Sequence, residues 1–207
     1  MRRILRVILG RVRHVALLRG INVGGKNILP MKDLAAMFVA AGCADVRTYI
    51  QSGNVIFSEP AAVARQLPDR VSKAIEKRFG YRIPVIVRTA DELARAIRDN
   101  PFLKAGADER AEADERAEAD ETMLHVYFLA DLPGAPAVAA LDANRSMPDA
   151  FHVREREIYL HLPNGMARTK LTNAYFDSKL STISTARNWT TVQKLLGMMN
   201  EAANERE

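Results

Sequence analysis

The loop after the first apolar strand has the residue types and spacing of a phosphate-binding loop. Gly20, Gly25 and Lys26 match the pattern G-x-x-x-x-G-K-[ST], and only the last position differs, where Asn27 replaces the hydroxyl residue. In such loops the glycines let backbone amides surround phosphates, the lysine reaches the outer phosphates, and the hydroxyl holds magnesium. Because Asn27 cannot supply that hydroxyl, a P-loop-like nucleotide enzyme is only a minor alternative.

Polar residues also gather between two later strands and before the last two helices. Helix N-termini favour anions through free amides and the helix dipole, so the cations found there are easier to explain if an anion binds between them. We therefore expect one cleft between lobes that binds a small anionic ligand bearing phosphate or carboxylate. The alternative is that these loops are merely tight turns with capping side chains. The candidate ligand-binding residues are Arg19, Asn22, Lys26, Gln51, Ser52, Asn54, Lys170, Asn173, Arg187 and Asn188.

The elements that must position these residues form a regular order in the first part of the chain. Apolar periodicity predicts a strand at 14–19, a helix ended by Gly42, a hairpin of strands at 46–51 and 54–57, a helix ended by Gly80, and a strand at 83–88. The order βαββαβ indicates a ferredoxin-like lobe over residues 14–89. The turn between the paired strands also disfavours a P-loop fold, which needs parallel strands joined by helices.

The second part of the chain predicts a smaller α+β lobe over residues 90–207. Thr89 and Glu92 have the spacing of a capping box, so we expect a helix that runs to Asn100. A strand at 123–130, a short helix at 136–144 and a hairpin of strands at 151–154 and 158–161 follow, and two amphipathic helices end the chain. The fold class is therefore α+β in two lobes, with linkage near Thr89.

The net charge of +5 comes from one segment. Residues 1–13 form a basic extension with five arginines and no acid, and without them 25 basic and 25 acidic residues remain. Residues 107–121 are an acidic insert that repeats the hexapeptide ADERAE and has a net charge of −6. Without either segment the chain has a charge of +6, so a nucleic-acid-binding protein is a second hypothesis, although no basic strand with interleaved aromatics is present.

The remaining residue types exclude several classes of protein. Cys43 is the only cysteine, which rules out an internal disulfide and fits a cytoplasmic location. The four histidines have no ligand spacing, so no metal site is expected. No apolar run is long enough to predict a membrane span. The residues assign no catalytic group, no reaction and no cofactor.

Four segments resemble the bacterial domain of unknown function 1697 family. They read LLRGINVGGKN, YIQSGNVIF, RTKLTNAYFDSKL and TARNWTTV, and the resemblance spans about residues 14 to 198. It implies a compact two-lobed α+β protein and no established activity. The arginine-rich start and the hexapeptide insert depart from the family pattern. The resemblance carries the family motif over to Arg19, Gly20, Asn22, Gly24, Gly25, Lys26, Gln51, Ser52, Gly53, Asn54, Lys170, Asn173, Arg187, Asn188 and Trp189.

Overall fold

The computed structural model describes residues 12–104 and 120–204 of the chain. The predicted basic extension therefore lies outside the described residues except for Val12 and Arg13, which already belong to the first strand. The acidic insert also lies outside them, except for Asp120 and Glu121. Asp120 accepts a hydrogen bond from the amide of Thr122 and so caps the 3₁₀ turn Glu121–Met123.

The first half of the chain forms a four-stranded antiparallel sheet in the order β2-β3-β1-β4. The hairpin between β2 and β3 was predicted, but its loop is residues 50–53 rather than two residues, because the last strand pair is Tyr49 with Asn54. The elements are β1 (Val12–Leu18), α1 (Met31–Ala40), β2 (Ala44–Tyr49), β3 (Asn54–Glu59), α2 (Ala61–Ala64), α3 (Leu67–Phe79), β4 (Val85–Thr89), α4 (Ala90–Arg98) and α5 (Pro101–Lys104).

The second half forms another four-stranded antiparallel sheet, in the order β6-β7-β5-β8. This is the strand order of the first sheet, with β5, β6, β7 and β8 in the places of β1, β2, β3 and β4. The protein is therefore a mixed α+β protein with two sheets of equivalent connectivity. The elements are β5 (Leu124–Leu129), α6 (Ala135–Ala139), β6 (Ala150–Arg154), β7 (Glu157–His161), α7 (Asn173–Leu180), β8 (Ser184–Asn188) and α8 (Trp189–Asn204).

Strand β8 was missing from the sequence prediction. Its residues, Ser-Thr-Ala-Arg-Asn, were expected only as the approach to the last helix, and that helix does begin at Trp189. The segment is a strand because it pairs with β5 along five residues, from Ser184 opposite Leu129 to Asn188 opposite His125. Its polar composition hides it from hydrophobic periodicity, so the sheet on this side is larger than the sequence predicted.

Three apolar clusters hold the layers together. The first lies between one face of the first sheet and α1 and α3, and the third lies between the second sheet and α6 and α7. The middle cluster joins Val15 and Leu17 of β1 to Val126 and Phe128 of β5, and it includes Trp189 of α8. Because this cluster draws on both sheets, the two halves of the chain share part of their core.

Local signals in the sequence set the start of the helix that leads into this shared core. The hydroxyl of Thr89 accepts from the amide of Glu92, and the Glu92 carboxylate accepts from the amide of Thr89, as the predicted capping box requires. The apolar face of α4, with Leu93 and Ala96, is thereby directed into the middle cluster.

No helix of the described ranges combines the length and the apolar character needed to cross a bilayer. Within residues 12–104 and 120–204, no group of three or more His, Cys, Asp and Glu side chains gathers in a way that could hold a metal ion. The four histidines lie in β1, β5, β6 and β7, so each is a strand residue as the sequence indicated.

Candidate functional site

Arg187 in β8 carries the best-defined polar site of the described residues. It is 8% exposed, and its guanidinium reaches from the second half of the chain into the first. Its Nε donates to Asn54 Oδ1 at 2.5 Å, and its Nη2 donates to the carbonyls of Leu18, Ser52 and Gly53 at 2.9, 3.1 and 3.2 Å. The remaining donor, Nη1, reaches Thr185 Oγ1 and the carbonyl of Ala186. All five N–H groups of the guanidinium therefore have acceptors within the protein.

The positive charge of Arg187 has no counter-ion among the described residues. Each of its acceptors is a carbonyl, an amide or a hydroxyl, and none is a carboxylate. Burial lowers the pKa of Arg187 to about 10, which leaves the group charged at neutral pH. A buried cation without a carboxylate partner is costly, and it favours any anion that reaches the adjoining space.

Arg88 in β4 is the topological equivalent of Arg187, and it makes the opposite crossing. It is 1% exposed, and its Nη2 donates to the carbonyls of Leu129 at 2.7 Å and Arg156 at 3.1 Å in the second half. Its Nε donates to Glu157 Oε1 at 2.9 Å. Glu157 is the first residue of β7, just as Asn54 is the first residue of β3. Each arginine therefore clamps the other half of the chain, but only Arg88 has a carboxylate partner.

A cleft of about 620 Å³ adjoins Arg187, and we call it the Arg187 cleft. It lies where the end of β1 and the β2–β3 loop from the first half meet β8 and the start of α8 from the second half. The cleft is lined in part by apolar groups, among them Ile21 and Met166. The candidate residues that line it are Arg19, Ser52, Asn173, Arg187 and Asn188.

The start of helix α8 opens onto the Arg187 cleft. Asn188 is exposed, and its Oδ1 accepts from the amide of Thr191 at 3.0 Å, which caps the helix. Asn188 and Thr191 both line the cleft, so the positive end of a 16-residue helix lies beside the buried charge of Arg187. The helix dipole and Arg187 therefore favour negative charge at the same place.

Arg19 brings a second cation to the rim of the cleft, but an acid of the second half compensates it. Its Nη1 pairs with Asp177 Oδ2 of α7. The other oxygen of Asp177 accepts from the amide and the hydroxyl of Ser184, at 2.8 and 2.6 Å. Asn173 completes this group, because its Nδ2 donates to Ser184 Oγ at 2.8 Å. Asp177 is thus held by β8 while it faces Arg19.

Asn54 and Asn22, which were also predicted as ligand-binding residues, instead hold neighbouring loops together. Asn54 lies under the Arg187 cleft, is fully buried, and accepts from Arg187. Asn22 does not line the cleft, because its Nδ2 donates to the carbonyls of Leu29 and Gln51 while its Oδ1 accepts from the amide of Leu29. Gln51 is exposed beside that contact. Asn22 thus joins the glycine-rich loop to the β2–β3 loop, which is the capping role that the sequence left as the alternative.

The glycine-rich loop has the geometry of a tight turn. Val23 and Lys26 form an antiparallel bridge around Gly24 and Gly25, whose φ angles are +57° and +73°. Such angles suit a two-residue hairpin turn and favour glycine. Helix α1 begins only at Met31, so the helix N-terminus that a P-loop places beside its lysine is absent from this loop. Lys26 is exposed and does not line the cleft.

Lys170 also lies away from the cleft. It is exposed, its amide donates to Ser146 Oγ at 2.9 Å, and its carbonyl accepts from Arg145 Nε at 3.1 Å. These bonds fix the loop that enters α7, where Thr172 caps the helix by accepting from the amide of Tyr175. The structure therefore brings five of the ten candidates to one cleft and leaves Asn22, Lys26, Gln51, Lys170 and the buried Asn54 outside its lining.

Sequence reasoning missed His125, which lines the Arg187 cleft. Its Nδ1 is buried and has no hydrogen-bond partner among the described residues, and burial lowers its pKa. Its equivalent in the first half is His14, because His14 lies opposite Thr89 and His125 lies opposite Asn188 in the paired strands. The repeated pattern His-Val-x-x-Leu at residues 14–18 and 125–129 was the signal that could have revealed it.

Comparison with known proteins identifies the family. A solved structure of a conserved bacterial protein from Streptococcus pneumoniae is similar, with a TM-score of 0.62 and 20% identity over 92% of this chain and 99% of that one. At this identity the likeness shows the fold alone. No curated protein matches the sequence. The family described as "Protein of unknown function (DUF1697)" matches residues 12–159, which is more than half of the chain. The chain therefore belongs to the DUF1697 family.

Proposed function

We propose that this protein binds a small anionic ligand, bearing a carboxylate or a phosphate, in the Arg187 cleft. The carrying observation is the buried charge of Arg187, which meets no carboxylate among the described residues. At the equivalent position of the other half, Arg88 has Glu157 as its partner. For Arg187, an anion in the cleft supplies the negative charge that Glu157 supplies for Arg88.

Arg187 acts on this anion through its field, because its donors are already used by the protein. The direct donor is the side-chain amide of Asn188, which lines the cleft, and the positive end of the α8 dipole lies beside it. Interactions at a helix N-terminus contribute about 0.3–1 kcal/mol each when exposed, and more when partly buried. Arg19 adds a further cation if the anion displaces Asp177.

We also take each half of the chain as a ferredoxin-like unit, with residues 14–89 and 90–207 as the two lobes. The same antiparallel strand order in both sheets supports this assignment. The ligand then lies where the end of β1 and the β2–β3 loop of the first unit meet β8 and the start of α8 of the second. A cytoplasmic site of action is part of the proposal, motivated by the single cysteine.

The observations favour a small ligand over nucleic acid. Nucleic-acid binding by a ferredoxin-like sheet uses an open face on which bases stack. In the first sheet, Ala16 and Leu18 of β1 face one apolar cluster while Val15 and Leu17 face another, so side chains cover both faces. No reaction is proposed, because the donors of the cleft bind charge without supplying a nucleophile and a base in contact.

Thermal unfolding in the presence of anions tests the proposal. The panel is inorganic phosphate, sulfate, acetate, benzoate, a sugar phosphate, and ATP with magnesium, each at constant ionic strength. A ligand at about 100 times its Kd stabilises the folded state by about 2.7 kcal/mol, which raises the unfolding temperature measurably. Stabilisation by at least one anion, weaker at high salt, is the expected result. If no member of the panel stabilises the protein, the proposal fails.

Asn54→Asp places an internal carboxylate beside Arg187, as Glu157 stands beside Arg88. We expect this variant to bind the stabilising anion at least several-fold more weakly, because the buried charge is already compensated. Asn144→Asp is the matched control, since it makes the same chemical change at an exposed residue outside the cleft. Equal weakening in both variants would assign the effect to net charge alone. Stabilisation by ATP with magnesium that is lost in Lys26→Ala would instead restore the P-loop alternative.

A further inference from the structure

The equivalent of the Arg187 cleft in the other half is a second cleft, of about 610 Å³, which we call the Arg88 cleft. Its lining includes Arg88 and Thr89, the counterparts of Arg187 and Asn188, and Ala130 and Asp131, the counterparts of Arg19 and Gly20. The two clefts therefore share equivalent structural positions. Their chemistry differs because the residues at these positions differ.

Most charges of the Arg88 cleft are paired inside the protein. Arg88 pairs with Glu157 at 2.9 Å, and Arg156 pairs with Glu92. This part of the cleft therefore contributes no net charge. A lone anion gains less here than in the Arg187 cleft, where the buried arginine has no carboxylate partner in the described part of the chain.

Two opposite charges of the lining remain for a ligand. Arg65 is exposed, and within the described ranges its guanidinium makes no hydrogen bond or ion pair. Asp131 is also exposed, and there its carboxylate accepts only from the hydroxyl of Thr182, at 3.2 Å. Both residues line the same cleft without pairing with each other. A cation and an anion held apart across one cavity match a ligand that carries both charges.

His14 gives an independent indication that a polar ligand group enters this cleft. It is 2% exposed, it lines the cleft, and its buried Nδ1 has no hydrogen-bond partner in the described part of the chain. Its ring stacks on Phe57 with the centroids 5.3 Å apart, so its orientation is set by packing. Buried polar atoms in folded proteins almost always have a partner, so the unpaired Nδ1 marks this wall of the cleft as unusual for a purely structural surface.

We propose that the Arg88 cleft binds a zwitterion of the amino acid or short peptide class, with its ammonium on Asp131 and its carboxylate on Arg65. The cavity is large enough for a free amino acid or a dipeptide. When Glu157 is counted as the partner of Arg88, the charges of the cleft sum to zero, which favours a neutral molecule with separated charges, whereas the Arg187 cleft favours an anion. This site stands independently of the function proposed for the Arg187 cleft.

Isothermal titration with L-leucine, N-acetyl-L-leucine, L-leucinamide and L-alanyl-L-alanine tests the site on the full chain. N-acetyl-L-leucine lacks the ammonium, and L-leucinamide lacks the carboxylate. We expect L-leucine or the dipeptide to bind, and each blocked form of leucine to bind roughly tenfold more weakly, since a hydrogen bond to a charged group is worth about 1.5–3 kcal/mol. Absence of binding by every zwitterion, or equal binding of the blocked forms, would overturn the proposal.

Two exposed substitutions then locate the charges. Asp131→Asn should abolish the preference for L-leucine over its N-acetyl form, and Arg65→Gln should abolish the preference over its amide. Glu76→Gln and Lys77→Gln are matched controls, because they remove the same charges from exposed positions of α3 outside the cleft. Zwitterion binding that is unchanged in Asp131→Asn and Arg65→Gln, or weakened equally in the controls, would also overturn the assignment.

Discussion

The two arginine clamps have the same geometry and differ in one partner. Arg88 and Arg187 each leave the fourth strand of one half and donate to the end of the first strand and the hairpin loop of the other half. At the first residue of the third strand, Arg88 meets Glu157 whereas Arg187 meets Asn54. The shared backbone bonds therefore hold the halves together, and the differing residue decides whether the charge is compensated by the protein.

Stability alone does not explain why the two clamps differ. A buried ion pair recovers little net stability over well-packed neutral groups, because desolvation of both charges offsets their attraction. Asn54 therefore does not weaken the Arg187 clamp. Its Nδ2 also has partners, because it donates to Ser52 Oγ at 2.9 Å and to the carbonyl of Tyr49 at 3.2 Å. What Asn54 changes is the charge of the adjoining cleft.

Substitution of Arg88 and of Arg187 should give the largest difference in stability between the two clamps. Arg88→Met leaves Glu157 buried without its partner, so we expect a loss of about 3–5 kcal/mol in the free energy of unfolding. Arg187→Met leaves no carboxylate unpaired, and the carbonyls of Leu18 and Gly53 keep other donors. We therefore expect a smaller loss of about 1–3 kcal/mol in the free energy of unfolding. Urea unfolding of both variants measures the difference.

A double variant separates the charge from the backbone bonds. Arg88→Met combined with Glu157→Gln removes the stranded carboxylate, so its loss should fall to that of Arg187→Met. Equal losses for the two single variants would show that Glu157 contributes nothing to the difference between the clamps.

Two glycines of the first half, Gly53 in the β2–β3 loop and Gly24 in the glycine-rich loop, offer a second comparison. Gly53 has a φ of +75°, and a Cβ added there lies 2.7 Å from Leu18 Cβ and 3.0 Å from Ile21 Cδ1. Gly53→Ala therefore combines backbone strain with a clash, and we expect a loss of about 2–4 kcal/mol. Gly24→Ala is the control, because its φ is +57° but no atom lies within 4 Å, so about 1 kcal/mol of strain remains. Similar losses in thermal unfolding would contradict the clash.

The equivalent histidines, His14 and His125, should give the smallest difference in stability between the two halves. Burial lowers the pKa of His14 and His125 below 6.5, and the Glu92 carboxylate opposes this shift for His14. Each imidazole therefore protonates less readily in the folded state than in the unfolded state. Their stabilisation is therefore present above about pH 6.5 and is lost as the pH falls toward the lowered folded values.

His14→Phe and His125→Phe should each reduce this loss between pH 6.5 and 5, measured as the free energy of unfolding at each pH. The reduction should be larger for His125→Phe, because no acid opposes its shift among the causes that act on it. An identical pH dependence in the wild type and both variants would contradict the assignment.

Much of the fold could be predicted from local residue patterns. The glycine at 80 ends α3 in the left-handed conformation, and Thr89 and Glu92 form the expected capping box. The apolar residues after His14 also indicated the strand that the structure shows as β1. These signals succeed because helix ends, caps and strand periodicity depend on residues a few positions apart.

The candidate site was only partly predictable for the opposite reason. Lys26 attracted attention by its place in a glycine-rich pattern, yet a two-residue turn leaves it outside the cleft. His125 attracted none, because only the pairing of β5 with β8 brings it beside Asn188 at the cleft. Arg187 was predicted as a donor at a helix start, whereas its guanidinium is buried against the other half of the chain.

The sequence by itself determined the family and the polar residues available at each strand end, and it left the tight turn at Gly24 and Gly25 as one of two alternatives. Only the tertiary structure decided that β8 is a strand, that the two sheets have equivalent connectivity, and that Arg88 and Arg187 make reciprocal crossings. The physical reason is that strand pairing and the desolvation of a charge depend on groups far apart in the chain. Arg187 and Asn54 meet across 133 positions, and no local pattern records that contact.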